Sequence, residues 1–364
     1  MTQTEILVIG GGPAGLRAAA AAAELGAQVL LIEEMDWLGG QLVKQTHKFF
    51  GSKEQYASRR GIDIARVLAE ELDNHDRVTV WTGAPVLGIY EDGVVTAQKD
   101  NRHVKIRPRR IIVATGAAEK VLPFPNNDLP GIYGAGAVQT LMNLHGVLPG
   151  RRVLMVGAGN IGLIVSYQLL QAGVEVAAVI EGAPRIGGYL VHASKIRRAG
   201  VPILTRYTIK EALGRDMVTG AVIQQLDDHW QPVPGTEQTL EVDVICLAVG
   251  LTPLADLLWQ AGCEMRFIPE LGGHVPCRNH LLETTRPGIY VAGDVSGVEE
   301  ASAAMVEGRL AGLAAARSLG YGGPEAESCI ENALEQLHGL RSGPAGDKIR
   351  SGLKKLLGEE GAVC

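Results

Sequence analysis

The sequence predicts an α/β chain in which one domain is inserted into another and a short helical tail follows. Three observations carry this prediction. The stretches "ILVIGGGPAG" (6–15) and "LMVGAGNIG" (154–162) repeat one pattern of apolar strand, glycine turn and helix. A third stretch, "IYVAGDV" (289–295), again runs from a short apolar strand into glycine and is followed by a helical segment. The 47 glycines among 364 residues exceed ordinary usage. They follow neither a Gly-X-Y period nor a low-complexity tract, so they read as tight turns between strands and helices.

The first unit is complete on its own terms. Residues 6–9 are apolar, Gly10, Gly12 and Gly15 follow in G-x-G-x-x-G spacing with Pro13 and Ala14 between Gly12 and Gly15, and "LRAAAAAAELG" continues as a helix. Gly10 permits the turn, Gly12 lets the backbone approach a pyrophosphate, and Gly15 lets the helix close on the strand. The phosphate would rest on the helix N-terminus, where unpaired N–H groups and the helix dipole favour negative charge. A second strand, "AQVLLIE", ends at Glu33, next to Glu34, where a carboxylate can accept hydrogen bonds from a ribose. The result is a Rossmann-like unit.

Near the far end, Gly293 and Asp294 follow a strand and precede the helix "EEASAAMVEGRLAGLAAA". This stretch resembles the second flavin-binding motif of the two-dinucleotide-domain flavoproteins, the group containing thioredoxin reductase and the pyridine nucleotide-disulfide oxidoreductases. The resemblance implies that Asp294 holds a ribitol hydroxyl of FAD. It also implies that the backbone at Ala301 and Ser302 faces the pyrimidine end of the isoalloxazine, where a helix N-terminus stabilises the charge of reduced flavin. "LGGQL" (38–42) resembles the flavin-wrapping segment of thioredoxin reductase, with Gly40, Gln41, Leu42 and the nearby Thr46. "IIVATGA" (111–117) resembles the strand that closes the first lobe, with Ala114, Thr115 and Gly116, and Val86 completes the expected FAD set.

One part of that family pattern is missing. Cys246, Cys263, Cys277, Cys329 and Cys364 are widely spaced and form no C-x-x-C, so they are expected to be reduced thiols and not a metal site or dithiol. Where the resemblance would place a reactive pair, the chain reads "VKQTHKFFGS" after "LGGQL", and "LPGIYGAGAVQTLM" at 129–142. Without a thiolate to attack or receive, thiol–disulfide exchange is not the expected mechanism. His47 has the only attractive proton-transfer pKa nearby and reads as a packing or flavin-wrapping residue. A closer resemblance covers residues 5–320. "LPGIYGAGAVQTLMNLHGVLPGRRVLMVGAGNIG", "LAVGLTPLADLLWQAGCE" and "ETTRPGIYVAGDVSGVEEASAAMVEGRLAG" are similar, in order and spacing, to the FAD subunits of opine oxidases, hydrogen cyanide synthase and dye-linked proline dehydrogenases. It implies a subunit working beside a second flavoprotein subunit that oxidises an amino or imino acid. Those relatives often carry a cysteine-rich, iron–sulfur-type tail; with Cys329 and Cys364 as the cysteines after residue 320, no cluster is expected here.

The second glycine turn carries Gly157, Gly159 and Gly162, with Asn160 and Ile161 inside it, and "LIVSYQLLQAG" supplies the helix. "VEVAAVIE" ends at Glu181, which at a ribose favours NAD(H) over NADP(H), whose 2′-phosphate would meet a like charge. Arg185, four residues on, works against that preference, and Gly250 completes the expected nucleotide set. Ile164 stands two positions after the third glycine, where NAD(P)H-using relatives commonly have an acid. Nucleotide binding and hydride transfer are therefore separate questions. Three occupancies stay open: NADH that reduces the flavin, an adenine nucleotide such as ATP kept for structure or regulation, or none.

The motif order gives an FAD-binding domain at 1–118 and 251–325, an inserted nucleotide domain at 119–250, and a helical tail at 326–364. The crossings fall at the joints "GAAEKVLPFP" and "AVGLTP". In the tail, Ile349, Leu353, Leu356 and Leu357 share a face beside Lys348, Arg350, Lys354 and Lys355. That helix is expected to pack on the body or on a partner; the alternative is a membrane-surface helix serving an NADH:quinone reductase. A net charge of −6 gives no basic footprint for nucleic acid. The start "MTQTEILVIGGG" has no basic leader region and no run of ~18 apolar residues appears, so a cytoplasmic location without integral membrane association is expected. The reading is an FAD-dependent oxidoreductase of small molecules, assembled with a second flavoprotein subunit or with itself. It passes electrons between a nicotinamide cofactor or an amine-oxidising partner and an acceptor. The alternative is a nucleotide-binding scaffold subunit with structural FAD and ATP. No side chain is assigned as catalytic acid or base, and no metal is expected.

Overall fold

A computed structural model describes residues 1–358; residues 359–364, Cys364 among them, lie outside the described residues. The chain divides into two compact units, one formed by Met1–Ala118 with the chain from Thr252 onward, the other by Glu119–Leu251.

The first unit opens with β1 (Thr2–Ile9), α1 (Pro13–Glu24), β2 (Val29–Ile32), α2 (Gly61–Asp73), β3 (Val78–Trp81), β4 (Val86–Ile89), β5 (Val95–Lys99) and β6 (Arg102–Val113). β1, β2 and β3 run parallel, and β1 also pairs in parallel with the second half of β6, whose first half turns antiparallel against β5. The central strands read as continuous apolar runs because both faces are covered. Ile6, Val8, Val29 and Leu31 enter one core, while Leu7, Ile9, Leu30 and Ile32 enter the other.

A short strand, β7 (Ala117–Glu119), marks the passage into the second unit. There follow β8 (Ile132–Gly134), α3 (Ala135–His145), β9 (Arg152–Val156), α4 (Asn160–Gln171), β10 (Glu175–Glu181), α5 (Leu190–Arg198), β11 (Ile203–Thr205), β12 (Tyr207–Gly214), β13 (Val218–Gln225), β14 (Gln238–Leu240) and β15 (Val244–Leu247). Five strands form a parallel sheet in the order β11-β10-β9-β15-β8. Val153 and Met155 of β9 face the helices, and Leu154 and Val156 face the antiparallel β12-β13-β14 layer.

The chain returns through β16 (Leu251–Pro253) to α6 (Asp256–Gln260), the antiparallel pair β17 (Met265–Ile268) and β18 (Gly273–Pro276), and β19 (Ile289–Val291), which pairs with β6. α7 (Ala301–Ser318), α8 (Gly323–Leu340) and α9 (Asp347–Leu357) follow. The alanine-rich α1 packs on α7 closely enough that a Cβ on Gly308 would lie 2.0 Å from the Ala14 carbonyl oxygen, and one on Gly312 2.2 Å from that of Ala18. Small residues on both helices are what allow this approach. α8 adds Ile330, Ala333 and Leu337 to the same core. Ile349, Leu353 and Leu356 of α9 pack against Ile268, Leu271 and Val275, so this apolar face is spent on the body of its own unit. Among the described residues, no helix is long and apolar enough to cross a membrane.

Candidate dinucleotide sites

Each glycine turn lies at the C-terminal end of a central strand, β1 or β9, where neighbouring strands lead off to opposite sides, the place where open α/β sheets bind ligands. Gly10 adopts φ +107°, and a Cβ there would sit 2.4 Å from the Ala114 carbonyl oxygen. Its counterpart Gly157 adopts φ +112°, with the Ala248 carbonyl oxygen at 2.3 Å from the same notional atom. A Cβ on Gly15 or Gly162 would lie 1.8 or 2.0 Å from the carbonyl oxygen of Gly10 or Gly157, so the missing side chain is what lets each helix close on its strand. The middle glycines differ in kind. A Cβ on Gly12 would meet nothing nearer than the Gly40 Cα at 3.8 Å, and one on Gly159 nothing within 4 Å. These positions are open for a ligand.

The acid at the end of the second strand does the same work in both units. Glu33, buried, accepts from the Gly11 N–H at 2.6 Å and the Met35 N–H at 2.9 Å. Glu181 accepts from the Ala158 N–H at 2.9 Å and the Ala183 N–H at 3.0 Å. Each carboxylate thus ties its glycine turn to its strand end and keeps acceptor capacity for a ribose hydroxyl. Glu34 is exposed beside Glu33.

Around the first turn several of the remaining flavin candidates come together. Gly39 donates to the Gly11 carbonyl at 2.8 Å, and a Cβ on Gly40 would lie 2.8 Å from the Gly12 Cα. Gln41 is exposed and Leu42 is buried in the core behind the strap. Thr46 lies farther along, its carbonyl accepting from Arg60, and the His47 ring stacks on Phe49 at 5.5 Å. Val86 begins β4 just after Ala84, whose N–H donates to the Glu33 carbonyl at 2.9 Å. The Ala114 N–H donates to the Ile9 carbonyl, and the Thr115 hydroxyl donates to the Leu254 carbonyl at 2.7 Å. The Gly116 carbonyl accepts from the Leu254 N–H at 3.0 Å. Gly293 sits so close to α1 that a Cβ would meet the Ala14 Cβ at 2.9 Å, which brings the two sequence-distant motifs together.

Asp294 accepts from the Glu299 N–H at 3.3 Å in a recess where burial, with the Glu307 charge adding to it, pushes its carboxyl up to about 6. α7 then begins at Ala301, with Ser302 buried; its N-cap is Glu300, whose side chain does not cap the helix, and its first turn carries no acid. α1 and α4 start after glycine N-caps, Gly12 and Gly159, likewise without a capping side chain or an acid in the first turn. Three helix N-termini therefore keep their donors and positive ends for a ligand. The open position at Gly12, the uncapped α1 and α7, and the acceptor at Asp294 together fit FAD. At the second turn, Asn160 accepts from the Tyr189 N–H at 2.8 Å, Ile161 is half-buried at the start of α4, Ile164 is buried, Arg185 is exposed, and Gly250 accepts from the Lys120 N–H at 2.9 Å.

Two groups of residues escaped the sequence reading. One is a second strap. Gly188 donates to the Ala158 carbonyl at 2.9 Å, and its notional Cβ would lie 2.9 Å from the Asn160 nitrogen. The signal was present: "EEMDWLGGQLV" from Glu33 and "EGAPRIGGYLV" from Glu181 share the acid, the glycine pair and Leu-Val at identical spacing. The other is a buried charge cluster. Glu307 of α7 accepts from the Gly293 N–H at 3.0 Å, the Ser296 hydroxyl at 2.8 Å and the Arg341 guanidinium at 2.6 Å, and pairs with Arg278 at 3.4 Å. Arg341 also donates to Glu299 at 2.9 Å. Burial raises the Glu307 carboxyl, but the two arginines and Ser296 outweigh it and hold it below the usual range. Spacings from 8 to 63 residues apart give no local pattern by which a single sequence could reveal this cluster.

The thiols are placed away from such chemistry. Cys246, Cys263 and Cys277 are buried, Cys329 is half-buried, and none of the four forms a disulfide. Burial pushes the Cys246 and Cys263 thiols up, away from the thiolate form.

Two sheets with parallel central strands, each with a glycine turn, an uncapped helix and an acid at the second strand, define the class of two-site dinucleotide-binding flavoproteins. A family model described as pyridine nucleotide-disulphide oxidoreductase matches residues 4–308, and the chain belongs to that family of FAD-dependent oxidoreductases. An opine oxidase subunit from Agrobacterium tumefaciens is 31% identical over 332 residues, covering 86% of this chain and 66% of the relative. Hydrogen cyanide synthase subunit HcnB of Pseudomonas protegens is 26% identical, covering 84% of this chain and 69% of the relative. The chain thus spans about two thirds of the length of these relatives. Among solved structures, L-proline dehydrogenase from P. horikoshii superposes with a TM-score of 0.71 at 24% identity over 91% of this chain and 59% of that one. Thioredoxin reductase from T. acidophilum does so with 0.73 at 21% over 88% and 99%. These last two likenesses establish the fold.

Proposed function

We propose that this chain is the FAD- and nucleotide-handling subunit of an oxidoreductase acting on CH–NH groups, passing electrons between an amine-oxidising partner subunit or a nicotinamide cofactor and an acceptor without a redox disulfide. The observation that carries the reading is the pair of equivalent turns, each closed by its own buried or half-buried glutamate, in a chain whose described thiols are mostly buried and dispersed. FAD, when bound, supplies the electron-transfer chemistry. The chain's part is to seat the pyrophosphate on Gly12 and the start of α1, to accept ribose and ribitol hydroxyls at Glu33 and Asp294, and to aim α7 at the flavin ring. At the second turn, Gly159 and the start of α4 would seat a nucleotide, with Glu181 favouring a free 2′-hydroxyl and hence NAD(H). No observation favours ATP there. Subunits of opine oxidase and hydrogen cyanide synthase among the relatives support a partner subunit, and the partner would hold the amine.

The test joins two measurements on protein purified from native extract. Co-elution with a second flavoprotein, and amine-dependent bleaching of the complex, are the expected results. Anaerobic NADH added to the isolated chain then distinguishes the electron routes: bleaching identifies the second turn as a hydride-donor site, and nucleotide binding without bleaching leaves the partner as the source. A chain that elutes alone and turns over NADH with a small acceptor would overturn the complex-subunit reading.

A further inference from the structure

We propose that Arg341 is a positioning residue of the flavin site, holding Glu299 and Glu307 together so that the turn carrying Asp294 is fixed against the start of α7. The inference rests on the reading that Asp294 and the α7 N-terminus face FAD. Its physical basis is a closed chain of contacts. Glu307 fixes the Gly293 N–H and the Ser296 hydroxyl, one residue before and two after Asp294. Glu299, whose own N–H meets the Asp294 carboxylate, lies two residues before α7 begins. Arg341, beyond the last residue of α8, donates through Nη2 to Glu307 at 2.6 Å and through Nε to Glu299 at 2.9 Å, bracing both ends of this segment from a distant part of the chain.

The brace is electrostatic as well as geometric. Glu299 and Glu307 are nearly buried, with side-chain exposures of 10% and 4%, and Arg341 at 13% is shared between them. Arg278 pairs with Glu307 at 3.4 Å, and its charge lowers Glu299 less than that of Arg341 does. Burial pushes the Glu299 carboxyl up to about 7 even with Arg341 beside it, and losing the Arg341 charge raises it further, so the unbalanced negative charge beside Asp294 develops in alkaline solution, where the carboxylates ionise. Reduction adds negative charge to a flavin, so uncompensated carboxylates nearby lower its midpoint potential, and neutralising one of them raises it.

The experiment uses the full chain and compares R341Q, R341K, E299Q and, as a control on α7, R317Q, whose side chain pairs with Glu327 on the surface. FAD dissociation constants come from fluorescence titration, and midpoint potentials of bound flavin from equilibrium titration against reference dyes, both at pH 9, above the raised Glu299 value. R341Q is expected to bind FAD at least about tenfold more weakly and to shift the potential downward, with R341K recovering most of both. E299Q, which keeps an oxygen for Arg341, is expected to shift the potential upward. A purely structural role predicts no such opposition in sign. Values for R341Q within twofold of wild type, shifts of the same sign in R341Q and E299Q, or an equal loss in R317Q would overturn the proposal. If R341Q does not fold, E299Q against R317Q decides: an E299Q potential no higher than that of R317Q would overturn the proposal. Wild-type protein that takes up no FAD would instead overturn the flavin reading on which the proposal stands.

Discussion

Asp294 shows how a site residue can oppose stability. Its carboxyl is pushed from 3.8 up to about 6, first by burial and further by Glu307. Between these values the folded chain keeps a proton that the unfolded chain has released, so this residue's contribution to stability falls as pH rises through that window and stays low above it. The cost at pH 7 is about 2 to 3 kcal/mol. D294N removes it. Without added FAD, the variant is expected to melt several degrees above wild type at pH 8 and to match it near pH 4, while binding FAD at least about tenfold more weakly. Thermal melts at the two pH values with an FAD titration check this; equal melting at pH 8 would show that the aspartate carries no such penalty. The sequence made Asp294 visible because a strand, a glycine and a helix bracket it. Glu307, Glu299 and Arg341 were not visible, since ion pairing over long separations leaves no periodic trace.

At the scale of elements, the three glycines of each turn divide their labour, and substitution separates the parts. G15A drives a methyl to 1.8 Å from the Gly10 carbonyl oxygen, so α1 must leave β1 and the first unit loses several kcal/mol, about 3 or more. G12A has free space and extended backbone at φ −75° and ψ −176°, so its melting temperature should stay within about 2 °C of wild type while FAD content falls. G159A is its counterpart for the second turn and should affect nucleotide binding with FAD untouched. Melts with cofactor quantification after desalting decide between these. A G12A protein that retains full FAD would show that the ligand does not approach there. Spacing alone announced all six glycines, because the turn, the ligand approach and the helix contact each demand a residue without Cβ. Spacing also gave Gly12 to ligand approach and Gly15 to helix packing; the distances add how much room each position has. The internal repeat of the straps was likewise written in the sequence, but its meaning needed the hydrogen bond from Gly188 to Ala158.

For the whole molecule, the thiols argue about mechanism. With Cys246, Cys263 and Cys277 buried, iodoacetamide at pH 8 is expected to leave all three unlabelled in native protein and flavin reduction unchanged, as mass mapping beside an activity assay would show. Rapid labelling of any of them together with loss of reduction would return thiol chemistry to the mechanism. α9 makes a similar point about surfaces. Its apolar stripe was legible, and two uses were open for it; Leu356, fully buried against the Leu271 region, decides for packing on its own unit.

By itself the sequence determined the α/β class, both glycine turns, the acids that end their second strands and the return of the chain at Asp294, because strand periodicity, turn stereochemistry and helix starts are local requirements. It also determined that no paired cysteines stand where disulfide chemistry would need them. Only the tertiary structure decided what Glu33 and Glu181 bond to, which glycines stay open, that α1 and α7 meet through alanine and glycine, and that Arg341 closes on Glu299 and Glu307. Those facts depend on groups brought together from separate parts of the chain, where packing and burial set the energies and no local pattern records them.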